Sequence, residues 1–247
     1  NLSSAMEYRA AFISQVIGMA VNDGIMIFFW VLFFRQFPQV GGWAFQDVLR
    51  LWGVTAASFG LATAVFGQCT RLAPLIAGGQ LDYYLTLPKS PLLHVLVSRM
   101  SSSAWGDIAF GVLAFLLAGD VRPTSVLLFL VFAWSGCAIL VAYHVMAGSL
   151  AFWLGNSEAL STQASATLIN FSTYPGSIFQ GWVKVLTVVL IPAAFVGHLP
   201  AQLLRQFDPL TFAAILVAAA GFTAVSILVF RLGLRRYESG SLLTLRG

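Results

Sequence analysis

The residues of this chain with the clearest capacity for chemistry are polar side chains inside apolar stretches. Asp23, preceded by Asn22, falls in the middle of the first stretch. A lone carboxylate at bilayer depth is costly and by default marks a functional or paired position. Asp23 could be protonated, paired with a partner chain or exposed to a cavity. Asp107 lies nearer the end of the third stretch and could reach water.

The fifth apolar stretch is unusually rich in polar side chains. Gln163, Thr167, Asn170 and Tyr174 are spaced to share one helix face, and serines fall on a neighbouring face. Polar side chains at this depth usually face a bundle interior or a watery path. They predict a wall of a translocation route, with Asn170 as the sharpest candidate. The alternative is hydrogen bonding between packed helices.

Catalytic and metal-binding chemistry is not expected in this chain. Cys69 and Cys137 lie in apolar stretches without a second ligand at metal-binding spacing, which favours a packing role. Ser149, with His144 and His198, lacks the sequence pattern around a serine nucleophile. The sequence contains no G-x-x-x-x-G-K-[ST] phosphate loop, so no cofactor, ATP included, is expected to bind to this chain itself.

The composition indicates that lipid is the solvent for most of the surface. Only 9% of the 247 residues are charged and 59% are hydrophobic, whereas a soluble domain carries about 25% charged residues. We therefore expect an all-α integral membrane protein, with residues 1–247 forming a single domain. Six stretches approach the roughly 20 apolar residues of a membrane span. They are Phe12–Phe34, Val48–Thr70, Met100–Ala118, Thr124–Leu154, Ala159–Tyr174 and Pro209–Leu232.

The basic residues predict the orientation of these spans. With the N-terminus in the cytoplasm, eight basic residues lie inside and five outside, which follows the positive-inside rule. The inner set is Arg9, Arg71, Lys89, Arg99, Arg231, Arg235, Arg236 and Arg246. The outer set is Arg35, Arg50, Arg122, Lys184 and Arg205. Both termini are therefore expected in the cytoplasm.

A seventh apolar stretch, Gly181–His198, is interrupted by Pro192. If it crossed the membrane, the arginine cluster at 231–236 would lie outside. Proline removes a backbone donor, and broken backbone is tolerated in a membrane only where protein or a watery cavity covers it. We predict a re-entrant hairpin that enters from outside and returns at Leu199-Pro200. The alternative is a full span kinked at Pro192.

The polar segment from Arg71 to Ser98 is the longest interruption between apolar stretches. Ser90 and Pro91 predict the N-cap and first residue of a helix. Before them, Leu81, Tyr84 and Leu85 are spaced to share one face of a short helix, with Asp82 and Lys89 outside that face. Such a helix could transmit movement from a soluble motor or simply anchor the chain at the interface.

The second stretch carries a row of small residues, Gly53, Ala57, Gly60, Ala64 and Gly67. Their spacing of three or four residues places them on one helix face, where another backbone can approach closely. We expect this face to pack against a neighbouring helix.

Several motifs taken together resemble the permease subunits of type-2 ABC exporters, in particular a subfamily often encoded as permease pairs beside a separate ATPase. The likeness covers nearly the whole chain and depends on the order of its parts. They are Glu7-Tyr8-Arg9; Gly79 to Leu85 with Pro88; Tyr174-Pro175-Gly176-Ser177-Ile178-Phe179; Ile191 to Val196 with Leu199-Pro200-Ala201; and Gly233 to Ser239.

The resemblance implies a fold and an assembly. The fold has six transmembrane helices, an N-terminal amphipathic elbow, a cytoplasmic coupling helix between the second and third helices, and an outward re-entrant hairpin before the sixth. Two permeases, identical or paralogous, would enclose one path in the plasma or inner membrane, and two ATPase subunits would bind ATP and Mg²⁺. No nucleic-acid partner is expected. The implied coupling residues are Leu81, Asp82, Tyr84, Leu85, Pro88 and Lys89, and the implied hairpin prolines are Pro175, Pro192 and Pro200.

Two other functions remain open from the residues alone. One is a secondary carrier driven by protons through Asp23 or Asp107, although the two halves show no clear repeat of the kind common in such carriers. The other is a membrane scaffold that only recruits a soluble partner. The substrate does not follow from the sequence.

Overall fold

The structure is a computed structural model that describes residues 9–88, 90–119, 121–176 and 181–237. Within these ranges the chain is almost entirely helical and contains no β-strand. The helices, in chain order, are α1 (Arg9–Gln36), α2 (Phe45–Val65), α3 (Leu72–Ala77), α4 (Leu81–Leu85), α5 (Pro91–Leu96), α6 (Ala104–Leu117), α7 (Pro123–Ser149), α8 (Ala151–Leu154), α9 (Glu158–Ser172), α10 (Trp182–Val189), α11 (Leu199–Arg205) and α12 (Pro209–Leu234).

Four of the six predicted spans are confirmed as helices long and apolar enough to cross a bilayer: α1, α2, α7 with α8, and α12. The other two, α6 and α9, have 14 and 15 residues. At about 1.5 Å per residue each rises only about 22 Å, less than the roughly 30 Å hydrocarbon core. The count of six spans therefore stays a prediction.

The second predicted span ends earlier than expected. Helix α2 stops at Val65, and the residues from Gly67 to Arg71 form a 3-10 helix. At this point the backbone of Arg99 packs directly onto Gly67, where an added Cβ would lie 2.8 Å from the Arg99 carbonyl oxygen. The change of helix type thus coincides with a close crossing of two chain segments.

The third predicted span, Met100–Ala118, begins later than expected. Helix α6 starts at Ala104, because the preceding residues lie against the end of α2. The Ser101 amide donates a hydrogen bond to the Thr63 carbonyl at 3.1 Å. This bond ties the segment before α6 to the end of α2.

The small-residue face of α2 packs against α6, as predicted. A Cβ added to Gly111 of α6 would lie 2.6 Å from the Ala57 amide nitrogen and 2.8 Å from the Gly53 carbonyl oxygen. Gly60 is equally tight, at 2.8 Å from the Ile108 amide nitrogen. Glycine at these positions allows the two backbones to touch, so α2 and α6 form one tightly packed pair.

Helix α7 is the centre of the bundle, and α1 is its least covered long helix. Helix α7 packs against α2, α9 and α12. Helix α1 packs mainly on α6 and leaves an apolar strip exposed along much of its length. The exposed apolar residues of α1 are Ile13, Ile17, Val21, Ile25, Phe28, Phe29 and Leu32. This strip needs lipid or another protein to cover it.

The segment before α12 is broken at the predicted position. Helix α10 ends at Val189, Pro192 follows, and the chain continues as a π-helix from Ala194 to His198 and then as α11. Pro200 lies in the first turn of α11, which runs on to Arg205, and the expected return at Leu199-Pro200 stays a prediction. Proline is compatible with that turn because its missing N–H has no intrahelical partner there.

The contact between α2 and α6 predicts the effect of adding one methyl group. Gly111→Ala would force a Cβ into the α2 backbone, and we expect a loss of about 1–3 kcal/mol in the free energy of unfolding. Gly221→Ala in α12 is the matched control, since a Cβ there has no neighbour within 4 Å. Thermal unfolding of the purified variants tests this. Equal melting temperatures for both would contradict the close packing.

Candidate functional site

Three short helices, α3, α4 and α5, form a cap on the ends of α7 and α12. Leu81, the first residue of α4, is fully buried among side chains of the cap and of the long helices. Val145 of α7 and Phe230 of α12 belong to the same apolar cluster, and Tyr84 packs against it. The cap is therefore attached to the two long helices through a shared core.

Two residues of α4 are exposed. Tyr83 is 67% exposed and Leu85 is 40% exposed, although Leu81 beside them in the same helix is completely buried. The spacing of four residues places Leu81 and Leu85 on one side of α4, but Leu85 is exposed where Leu81 is buried. Pro88 is exposed. The remaining predicted coupling residue, Lys89, lies outside the described residues.

Asp82 was expected to lie away from the packed face of α4, but it is half-buried and adjoins the C-terminal end of α12. Burial, together with the neighbouring Asp82 carboxylate, raises the pKa of Tyr237 to about 12. The predicted helix start at Pro91 is confirmed, with Ser90 in the N-cap position. The cap is thus linked to α12 by polar as well as apolar contacts.

The polar residues of α9 divide between two faces. Gln163 and Asn170 are exposed, and Thr167 between them donates its hydroxyl to the Gln163 carbonyl at 2.8 Å. Tyr174 does not continue this face, because α9 ends at Ser172; its ring instead lies 6.4 Å from that of Trp30. Three of the four predicted wall residues therefore share an open polar face.

Among the described residues, the serine hydroxyls of α9 form no hydrogen bond to another helix, contrary to the alternative explanation of these polar residues. Ser161, Ser165 and Ser172 each donate a hydrogen bond to a carbonyl of α9 itself, at 3.0, 2.8 and 2.8 Å respectively. The inter-helix bond at this face comes from Thr55 of α2, which donates to the Ser172 carbonyl at 3.3 Å. The serine hydroxyls thus find their hydrogen-bond acceptors within α9 itself.

Asp23 and Asp107 come near enough to each other to interact electrostatically. Both are buried, with 5% and 3% of their surface exposed, so the expectation that Asp107 could reach water is wrong. Asn22 is exposed and donates to one Asp23 oxygen at 3.4 Å. The other Asp23 oxygen has no hydrogen-bond partner among the described residues. An acidic pair therefore lies between α1 and α6.

Asp47 organises the opposite end of the bundle. Its carboxylate accepts hydrogen bonds from the Ala44 amide at 3.0 Å and from the Arg50 guanidinium at 2.8 Å. Arg205, at the end of α11, donates at 3.3 Å to the same Asp47 oxygen as the Ala44 amide, and it donates to the Gly42 carbonyl at 2.9 Å. Asp47 thereby fixes the end of the broken segment to the start of α2.

His198, inside the broken segment, contacts Gly176, which precedes that segment. Its Nδ1 accepts a hydrogen bond from the Gly176 amide at 3.1 Å, and its ring stacks on Trp43 with 5.1 Å between centroids. The three prolines of the predicted hairpin, Pro175, Pro192 and Pro200, are all buried. Gly176 and Arg205 therefore both lie near the chain turn that precedes α2.

Sequence reasoning did not find the Asp47 and His198 contacts. Asp47 with Arg50 three residues later gives a local signal of a capped helix start, which could have been noticed. The partners Asp47 and Arg205 are separated by 158 residues, and no pattern in a single sequence joins them. The same holds for Trp43 and His198.

The open face of α9 predicts reactivity toward a water-soluble maleimide. In a background without Cys69 and Cys137, we expect Asn170→Cys to react in intact membranes, because thiolate formation requires water. Val217→Cys on α12 is the matched control: Val217 is 71% exposed but lies in an apolar helix. Protection of Asn170→Cys equal to that of Val217→Cys would show that no watery path borders α9.

Comparison with known proteins identifies a family across nearly the whole chain. Residues 20–241 match the family model described as ABC-2 family transporter protein. Neither the curated proteins nor the solved structures include a match. The matched range contains the cap, the polar face of α9 and the broken segment.

Proposed function

Because the chain belongs to the ABC-2 family of transporter proteins, we propose that it is the membrane subunit of an ATP-driven exporter. Members of this family are multi-pass membrane permeases that work with a separate ATP-binding subunit. In this proposal the chain is not itself an enzyme. It forms the substrate path with a second permease and receives movement from ATPase subunits at its cytoplasmic end.

Apart from family membership, the main support for this proposal is the way the cap is attached to α7 and α12. Helix α4 offers Tyr83 and Leu85 to a partner, while Leu81 is embedded in the core shared with α7 and α12. Because the cap is rigidly attached in this way, a push on the exposed residues of α4 would be passed directly to α7 and α12. A flexible surface loop would absorb the same push.

A second permease subunit would cover surfaces that the single chain leaves open. Gln163 and Asn170 are exposed on α9, and Asn22 is exposed on α1. Polar side chains in contact with lipid tails are costly, so they belong at a protein interface or along a watery path. We therefore assign these residues, with Thr167 and Asp23, to the path between two permeases.

The contacts of the broken segment favour a re-entrant hairpin over a kinked span. Arg205 donates to the Gly42 carbonyl in the turn before α2, and Gly176 is bonded to His198, whose ring stacks on Trp43 of the same turn. The residues beside Pro192 pack instead against Cys137 and Leu140 in the middle of α7. The two ends of the segment thus lie at one side of the bundle, and its break lies near the centre. This arrangement supports a segment that enters and leaves by the same face of the membrane.

The proximity of Asp23 and Asp107 favours one competing function, a proton-driven carrier. The two hypotheses differ in their energy source. Transport that continues without ATP and stops in Asp23→Asn would support the carrier. Transport that stops without ATP and tolerates Asp23→Asn supports the exporter. A pure scaffold would tolerate Gln163→Leu and Asn170→Leu in any transport assay.

The cap predicts where a single charge uncouples the exporter. We expect Leu85→Glu to abolish most of the transport-linked ATP hydrolysis in the complex of this chain with its co-purifying ATPase. An unpaired charge at the centre of an interface costs about 2 kcal/mol or more, or roughly a 30-fold loss of affinity. The measurements are ATPase recovery during co-purification and phosphate release in proteoliposomes.

Val97→Glu is the matched control for this substitution. Val97 is exposed to a similar degree, at 46%, and lies in the same loop beyond α5. We expect it to leave hydrolysis near the unmodified level. Equal losses in both variants would indicate general damage to the loop, and full activity in Leu85→Glu would refute a coupling role for α4.

A further inference from the structure

A polar cavity of about 510 Å³ lies at the end of the bundle where α1, the 3-10 helix and the start of α6 meet. Arg71 and Arg99 line it from two separate chain segments. Neither guanidinium forms an ion pair or a hydrogen bond with another described residue, and the described lining of the cavity contains no carboxylate. Within the described part of the chain, nothing offsets the charge of these two guanidinium groups.

The backbone fixes the positions of these two arginines. Arg99 packs through its carbonyl onto Gly67, at the start of the 3-10 helix that ends with Arg71. Two residues later the Ser101 amide is bonded to the Thr63 carbonyl at 3.1 Å. Both cations thus project from segments that are joined directly to each other, which favours binding of a single anionic group between them.

Neutral hydrogen-bonding groups complete the lining. Ser101 and Ser103 share a hydrogen bond of 2.8 Å, and Ser102 donates its hydroxyl to the side-chain oxygen of Gln15 at 2.9 Å. This arrangement leaves the Gln15 amide nitrogen without an acceptor among the described residues. Helix α6, with 14 residues, begins at the same place, and a helix N-terminus favours an anion.

Arginine pairs with adjacent hydroxyl and amide donors are suited to phosphate, because its oxygens accept several charge-assisted hydrogen bonds at once. The cavity also has an apolar part, lined by Met19 and Met100. Gln15, Gly18 and Met19 lie within the first candidate span, which begins at Ile13. One wall of the cavity is therefore a membrane helix close to its end, at the depth of lipid headgroups.

We propose that this cavity binds the phosphate headgroup of an anionic phospholipid, held by Arg71 and Arg99, with the start of the acyl region against Met19 and Met100. The site is separate from the cap and from the polar face of α9. It does not depend on coupling to an ATPase and would persist if the chain were a carrier. A bound lipid at this point would join the end of α1 to the α2–α6 pair.

The test uses the full chain, reconstituted in nanodiscs of phosphatidylcholine and phosphatidylglycerol and then released into mild detergent. Native mass spectrometry counts the lipids retained per protein. We expect the unmodified protein to retain phosphatidylglycerol in preference to phosphatidylcholine. Arg71→Gln and Arg99→Gln should each weaken retention about tenfold, since a hydrogen bond to a charged group contributes at least one decade of affinity. The double variant should lose the preference.

Arg235→Gln is the control, because Arg235 is an exposed arginine near the end of α12 that does not line the cavity. It should retain phosphatidylglycerol as the unmodified protein does. Unchanged melting temperatures establish that the variants are folded. An unaltered preference in the double variant, or an equal loss in Arg235→Gln, would overturn the proposal.

A second arm distinguishes lipid from free phosphate. Inorganic phosphate is added during release from the nanodiscs, with chloride at the same ionic strength as the reference. Retention of phosphatidylglycerol in both solutions supports a lipid site. Displacement of the lipid by phosphate but not by chloride would overturn the lipid assignment and indicate a site for a soluble phosphate.

Discussion

The structure depends on one constraint, which is that backbone polar groups in a membrane must find partners within the protein. The segment around Pro192 is where this constraint is hardest to satisfy. Local bonds meet part of it: the Ile191 amide donates to the Leu186 carbonyl at 2.8 Å, and the Phe195 amide donates to the Pro192 carbonyl at 3.2 Å. Apolar side chains of α2, α7 and α9 pack against Ala193 and Val196, the buried residues that follow the break.

This requirement determines what the rest of the bundle must do. Helix α7 has to be central, since it provides the middle of the surface against which the break packs. Helices α2 and α6 approach closely, which the glycine contacts permit. At the end of the bundle near the α2 start, Asp47 and His198 fix the two ends of the broken segment. The single chain is then left with an apolar strip on α1 and a polar face on α9, and both require a partner or a particular solvent.

The sequence predicted the parts of this fold that depend on periodicity and composition. The long apolar helices, the small-residue face of α2, the helix start at Pro91 and the break at Pro192 all leave local signals. The end of α2 and the start of α6 do not, because they coincide with the contact between Gly67 and Arg99, which are distant in the chain. The exposure of Leu85 was not predictable either, because contacts with α7 and α12, rather than the spacing within α4, decide which residues of α4 are buried.

The candidate site was predictable to a similar extent. The polar face of α9 follows from helical spacing, and only Tyr174, beyond the helix end, departs from it. The proximity of Asp23 to Asp107 and of Asp47 to Arg205 could not be read from the sequence, because each pair joins elements distant in the chain. The cavity lined by Arg71 and Arg99 was not predictable for the same reason, because the packing of Arg99 on Gly67 brings its two cations together.

Side-specific labelling of single cysteines tests the central claim, that the broken segment enters and leaves by one face of the membrane. Trp182 and Phe207 bracket the segment and are both well exposed, as is Tyr83 on the cap. In intact cells, an impermeant maleimide should label Trp182→Cys and Phe207→Cys from outside, and Tyr83→Cys only after permeabilisation. Labelling of Trp182→Cys and Phe207→Cys from opposite sides would show a complete span and contradict this account.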